Sequence, residues 1–367
     1  MCGFGAKYRS WYSALKLILP LLAMLVLCAV RQVCAQDFVN FESPHVHPLD
    51  ITPDGTRLLA VNTADNRLEI FAIDAKGLTS AFSIPVGLEP VSVRVRDNDE
   101  AWVVNHLSDS VSVVNLDLGR VVATIFTGDE PADVVFAGSP QRAFVSISQQ
   151  NRIEVYDPSN LSQAPVFVPI QGEDPRSLVT NGNRVYAAIF EAGNMTTIVP
   201  KLLVESSLNP YPDNQSPPPN SGTEFDPPIA RNLPDAPITG MIVRKGEQDR
   251  WMDDNAHDWS DAVDLDLHGH GLAVIDASSL TVDYRTGLFT TNMACEVRGD
   301  GSVAIVGTEA LNDIRFEPIL NGVFLKVEGA LLADGESKPG IRRDLNPHLD
   351  YSVSSIPWEQ RIQSLGD

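Results

Sequence analysis

Residues 105–131 read NHLSDSVSVVNLDLGRVVATIFTGDEP: apolar and polar positions alternate, pass through a turn, alternate again and stop at a proline. A period of two marks a β-strand with distinct faces. The same arrangement recurs along the chain. Pro48, Pro90, Pro131 and Pro175 fall 42, 41 and 44 residues apart and open the stretches PLDITPDG, PVSVRVRDND, PADVVFAGSP and PRSLVTNGN. A repeat near forty residues predicts a propeller or a solenoid. In the second copy four strands are expected, at about 91–96, 101–105, 111–117 and 121–126. Asn66, Asp109 and Asn151 hold equivalent places in the turn between second and third strands, and both residue types tolerate a positive φ.

Four antiparallel strands per unit, with almost no helical periodicity, favour blades around an axis over a β-helix. A fifth copy, ACEVRGDGSVAIVGTEALNDIRFEP, lacks the proline and follows the second copy position by position until one extra residue near Asp313. The expected fold is therefore all-β, a propeller of four-stranded antiparallel blades. About five blades are expected, an incomplete ring, with a long loop insertion in the fourth.

The motif WVVN at 102–105, followed by SDSVSVVN and VVATIFTGDEP, resembles the YVTN-type β-propeller repeat of exported bacterial proteins. The first copy reads LAVN ending at Asn62, while the third and fourth depart to FVSI and YAAI. The resemblance spans residues 48–301. The chain is also similar to a subgroup of longer proteins that share its insertion (RWMDDNAHDW, then RFEPILNGVFLKV) and continue into a c-type cytochrome segment. That likeness implies an exported propeller of the seven-bladed type and, in the subgroup, a cytochrome c-type partner. No C-x-x-C-H occurs, so covalent haem does not carry over.

Within the fourth copy the third strand is delayed until GLAVIDASS, leaving an insertion at 201–270. NPYPDNQSPPPNSGTEFDPP is too rich in proline and asparagine for strands, whereas WMDDNAHDWSDAVDLDLHGHG carries two tryptophans and should pack on something. FVNF at 38–41 sits where an outer fourth strand would, and the final SLGD resembles TGDEP just ahead of a further repeat. Those two observations suggest a truncated ring of an expected six to eight blades. The competing expectation is a closed five-bladed ring.

Lys7, Arg9 and Lys16 precede an apolar run at 17–30, and VCAQ offers a cleavage site after Ala35, so residues 1–35 read as a signal peptide and 36–367 as the propeller. The expected location is periplasmic or secreted, with no membrane span in the mature chain. The formal net charge of −21 becomes −25 once Lys7, Arg9, Lys16 and Arg31 leave with that leader. Such a surface repels phosphate backbones and argues against nucleic acid as a partner. Only Cys295 of the four cysteines lies beyond the leader, so no internal disulfide is expected.

In a propeller the blade-to-blade links and the turns between second and third strands share one face. On that face the sequence puts Glu89, His106, Asp129, Glu130, Glu173 and Asp174, an acidic candidate binding surface. His45, His47, Asp266, His268 and His270 form a candidate metal set for Cu, Zn or Fe, because imidazole and carboxylate suit those ions. No G-x-S-x-G elbow, P-loop or dinucleotide fingerprint occurs, and Cys295 falls in an expected buried strand. No catalytic residue and no firm cofactor are assigned. The chain is read as a binding or scaffolding module for a protein or small ligand, more an adaptor than an enzyme on its own. The alternative is a metal- or haem-linked oxidoreductase component whose haem domain lies on another segment.

Overall fold

Each repeat folds into an antiparallel four-stranded blade with strands in chain order. The computed structural model describes residues 43–206, 240–246, 248–253, 257–265, 267–310, 325–350 and 359, all within the unit Ser43–Asp367. The leader, FVNF, NPYPDNQSPPPNSGTEFDPP and the terminal SLGD lie outside the described residues. Blade 1 comprises β1 (Leu49–Ile51), β2 (Arg57–Asn62), β3 (Arg67–Asp74) and β4 (Gly77–Pro85). Blade 2 comprises β5 (Pro90–Val95), β6 (Glu100–Asn105), β7 (Ser110–Asn115) and β8 (Arg120–Phe126), within two residues of the expected bounds. Blade 3 holds β9 (Pro131–Ala137), β10 (Arg142–Ile147), β11 (Arg152–Tyr156) and β12 (Val166–Pro169).

Blade 4 begins with β13 (Glu173–Thr180) and β14 (Arg184–Glu191), then leaves for the insertion. There β15 (Thr196–Val199), α1 (Lys201–Ser206), β16 (Met241–Lys245) and β17 (Trp251–Met252) follow, and the three strands form a small sheet of their own. The two tryptophans do pack: Trp251 and Trp259 are buried with Val199, Val204, Met241 and Val243. The blade resumes with β18 (His270–Asp276), at the delayed third-strand position, and β19 (Val282–Thr286). Blade 5 comprises β20 (Thr291–Val297), β21 (Val303–Ala310), β22 (Leu325–Leu332) and β23 (Ile341–Asp344). A single pair, Glu191 with Thr291, joins blades 4 and 5 at one corner.

One correction concerns the fifth copy. The strand paired with β21 is β22, running from Leu325↔Ala310 to Leu332↔Val303, so the third-strand place belongs to residues 325–332, while 311–324, where the sequence match continued after one extra residue, lies outside the described residues. DIRFEPIL alternates as a third strand would, but it is LKVEGALL that supplies the eight-residue ladder to β21.

The alternation explains the core. In β6, Ala101 and Val103 face blade 1 with Leu59, Leu68 and Ile70, while Trp102 and Val104 face blade 3 with Val134, Ala143 and Val145. Because each inner blade is covered on both sides, its central strands read as nearly continuous apolar runs. Two further clusters join blade 3 to blade 4, around Phe144 and Leu178, and blade 4 to blade 5, around Phe289 and Ile305. The innermost strands β1, β5, β9, β13 and β20 are successive neighbours, and the bridge between His47 and Ser92 is parallel, as radial blades require.

Among the described residues no apolar cluster joins blade 5 back to blade 1. Leu49 and Ile51 of blade 1 are 56% and 51% exposed, and Met293 of blade 5 is 50% exposed. The fold is a β-propeller with about five blades, and these uncovered terminal faces are those of a partial ring. No helix among the described residues is long and apolar enough to cross a membrane.

Candidate functional site

The first three links between blades share one geometry. Glu89, Glu130 and Asp174 each precede a repeat proline and adopt φ of 49°, 56° and 59°, an uncommon conformation for a residue with a Cβ. Their N–H groups donate to Oδ1 of Asn66, Asp109 and Asn151 at 2.8, 3.0 and 2.9 Å. Those three residues are themselves left-handed, as the turn chemistry predicted, with φ of 56°, 47° and 48°. Their carbonyls accept from Val86, Thr127 and Ile170 at 3.0, 2.9 and 2.8 Å. One Asx residue therefore ties both ends of each link to the turn beside it, which puts turns and links on one face.

The acidic side chains on that face differ in their engagements. Glu89 Oε2 accepts from Ser43 Oγ at 2.6 Å, and Glu173 Oε2 accepts from Asn151 Nδ2 at 2.7 Å. Asp174 pairs with the Arg176 guanidinium through Nε at 2.9 Å and Nη2 at 2.8 Å. Glu130 lies 3.7 Å from His106 Nε2, and Asp129 is exposed. His106 Nδ1 lies 3.0 Å from Pro131 O, so Nδ1 carries the proton and the ring bridges blade 2 to blade 3. Thr63 makes the corresponding bond one blade earlier, Oγ1 to Pro90 O at 2.7 Å.

Around the axis lies a cluster that sequence reasoning missed. Asp133 in β9 is fully buried, with His47 Nδ1 at 2.6 Å and Arg94 Nε at 3.7 Å, and it accepts the Leu178 N–H at 2.7 Å. Burial alone would raise its pKa. The His47 and Arg94 charges and the two hydrogen bonds outweigh that and hold the carboxyl below the usual range. Ionised Asp133 can only accept, so His47 Nδ1 is the donor. The available signal was an aspartate inside the apolar strand PADVVFA, a position that apolar alternation reserves for the interior.

Cys295 lies nearby, in β20, where the sequence placed a buried strand. Its N–H donates to Ser177 Oγ at 3.3 Å, and burial pushes the thiol up to about 12. At pH 8 almost no thiolate is present, so iodoacetamide followed by mass spectrometry should find the native thiol unmodified over hours and modified promptly in denaturant.

The candidate metal histidines have separate engagements. His45 Nε2 meets Thr63 Oγ1 at 2.6 Å; since that hydroxyl already donates to Pro90, His45 is the donor. His47 is committed to Asp133. His268 and His270 stack on one another at the end of the insertion, while Asp266 lies outside the described residues. No group of three or more His, Cys, Asp or Glu that could hold a metal occurs among the described residues.

Radial four-stranded blades with an acidic link face and a charged axial cluster define the class as β-propeller. Comparison with known proteins places it nearer to particular relatives. The family described as "Lactonase, 7-bladed beta-propeller" matches residues 35–199. The chain is similar to Protein NirF of Pseudomonas aeruginosa, 24% identical over 126 residues, which is 34% of this chain and 31% of NirF. Among solved structures it resembles hydrazine synthase of Kuenenia stuttgartiensis, with a TM-score of 0.50 and 15% identity over 82% of this chain and 66% of that one. U3-55K gives a TM-score of 0.50 at 9% identity, over 86% of this chain and 69% of that one. The match thus spans under a third of NirF and just under two thirds of the hydrazine synthase chain, and the structural likenesses speak for the fold alone.

Proposed function

We propose that the protein is an exported binding module, periplasmic or secreted once residues 1–35 are removed, whose link face recognises a protein partner through a basic surface. The observation that supports this reading is the repeated corner: three links of one geometry hold Glu89, Glu130 and Asp174 in register, with Asp129 and Glu173 beside them. A rim built on rigid corners loses little entropy on binding, and its charge steers a cationic partner. Residues 36–367 form the propeller in this reading, with the insertion as an accessory unit.

The test is crosslinking in cells expressing the protein, followed by its recovery and identification of what is attached. The wild type should yield a partner of basic composition, and the variant carrying Asp129→Asn, Glu130→Gln and Glu173→Gln should lose it. Without crosslinking, the complex should dissociate in about 1 M salt, where the screening length falls to about 3 Å. A partner retained equally by the variant, or turnover of a substrate by the purified protein alone, overturns the proposal.

A further inference from the structure

The two stems of the insertion bring a thioether close to a pair of stacked imidazoles. Met195 follows β14 at the outgoing stem, in a left-handed conformation with φ of 60°, and its carbonyl accepts the Lys245 N–H at 2.8 Å. The incoming stem carries His268, Gly269 and His270. Gly269 has φ of +57°, and a Cβ built there would sit 3.0 Å from Met195 Sδ. The thioether sulfur therefore lies against the backbone between the two histidines, in space that a glycine leaves open.

His270 is already arranged as a ligand. Its Nδ1 lies 2.8 Å from Gln171 O, which can only accept, so Nδ1 is protonated and Nε2 keeps its lone pair. The ring stacks on Tyr284 with centroids 4.0 Å apart and planes 9° apart, and the Tyr284 hydroxyl accepts the Gln171 N–H at 2.8 Å. A backbone carbonyl that fixes tautomer and ring orientation is the usual outer-shell support of a metal-bound imidazole. His268 lies parallel to His270, with centroids 5.1 Å apart and planes 10° apart, and is exposed. One ion cannot lie in both ring planes while they are parallel. His268 is the ring free to turn, since His270 is held by Tyr284 and Gln171.

We propose that Met195, His268 and His270 bind a copper ion, as Cu(I), in a site of two imidazoles and one thioether. The donor set selects the metal. Thioether sulfur is a soft ligand that favours Cu(I), and imidazole suits copper, whereas zinc sites are completed by thiolate, imidazole or carboxylate. Methionine supplies the third donor that the histidines lack among His, Cys, Asp and Glu. His45 and His47, committed to Thr63 and Asp133, take no part. The site does not rest on the acidic link face and stands or falls separately from the partner-binding reading.

Tag-free protein is titrated anaerobically with Cu(I) against the chromophoric chelator bicinchoninate. About one equivalent should be withdrawn from the chelator, and Met195→Leu, which keeps an apolar side chain of similar volume, should weaken binding about tenfold or more. His268→Ala should weaken it at least as much, whereas His47→Ala should leave it unchanged. X-ray absorption of the loaded protein should show sulfur and imidazole nitrogen around copper. Urea-unfolding midpoints of Met195→Leu and His268→Ala that coincide with wild type establish that the fold is intact. Failure to compete with the chelator, copper uptake indifferent to both substitutions, or uptake that follows His47 overturns the proposal.

Discussion

Asp133→Ala is expected to lower the unfolding free energy by about 3–5 kcal/mol, the range for removing one partner of a buried charge pair. The reason is what remains behind. Arg94 and His47 are only 19% and 16% exposed, so water replaces the fully buried carboxylate poorly, and the Leu178 N–H loses its acceptor. Folded domains have roughly 5–15 kcal/mol in hand, so the variant keeps its fold by a thin margin. Urea unfolding at pH 7 measures this directly. The double variant with Arg94→Met separates charge from packing: if the pair is the source, removing both charges should cost well below the sum of the single effects. Strict additivity would show that the loss is packing alone.

The same carboxyl predicts an acid limb. Its folded pKa is lowered, so the stability it contributes is fully present above the unfolded value near 3.8 and is lost as the pH falls from there through the folded value. Wild type should therefore lose stability steeply below about pH 4. Asp133→Asn, which cannot titrate, should be less stable at pH 7 and show a shallower slope in that window.

Much of the fold was legible because a propeller writes itself into sequence locally. Each blade has four short strands, each strand a period of two, and each of the first four repeats a proline at the same place, so the strands of blade 2 could be bounded from pattern alone. The Asx residues at 66, 109 and 151 were legible for a related reason: the turn needs a left-handed residue, and few side chains tolerate that. Blade 5 was misjudged at its third strand because alternation reports a strand's faces and not its partner. Both DIRFEPIL and LKVEGALL alternate, and the pairing of β21 with β22 decides between them. The insertion's sheet was less legible still, since its strands are two to five residues long and the first is separated from the second by a long stretch.

The candidate site was legible in its acids and not in its contacts. Position fixed Glu89, Glu130 and Asp174 on one face, but no pattern announces that Asp174 grips Arg176 or that His106 bridges to Pro131. Asp133 and Arg94 come from repeats one blade apart and meet only because inner strands converge on an axis. Met195 and Gly269 are 74 positions apart and adjacent only because the insertion returns to its starting point. Such meetings belong to closure of the chain, which a one-dimensional periodicity does not contain.

The radial arrangement itself is tested by contrasting two aromatic residues of one blade. Trp102→Ala is expected to cost about 3–5 kcal/mol in urea unfolding, the range for truncating a buried tryptophan. Trp102 is fully buried between blades 2 and 3, in a T-shaped contact with the Phe136 ring with centroids 5.3 Å apart, and its Nε1 donates to Glu100 Oε1 at 2.9 Å. Glu100 also accepts from Arg96 at 2.9 Å, so Trp102→Phe leaves that carboxylate a partner and should cost far less than the alanine. Phe126, on the outermost strand of the same blade, is 82% exposed, and Phe126→Ala should stay within about 0.5 kcal/mol of wild type. In a two-layer sandwich both aromatics could be core residues, whereas radial blades bury the inner strands between neighbours and leave the outer strand to solvent. Comparable losses at the two positions would contradict that geometry; a difference of about 3 kcal/mol is what the packing of β6 and β8 requires.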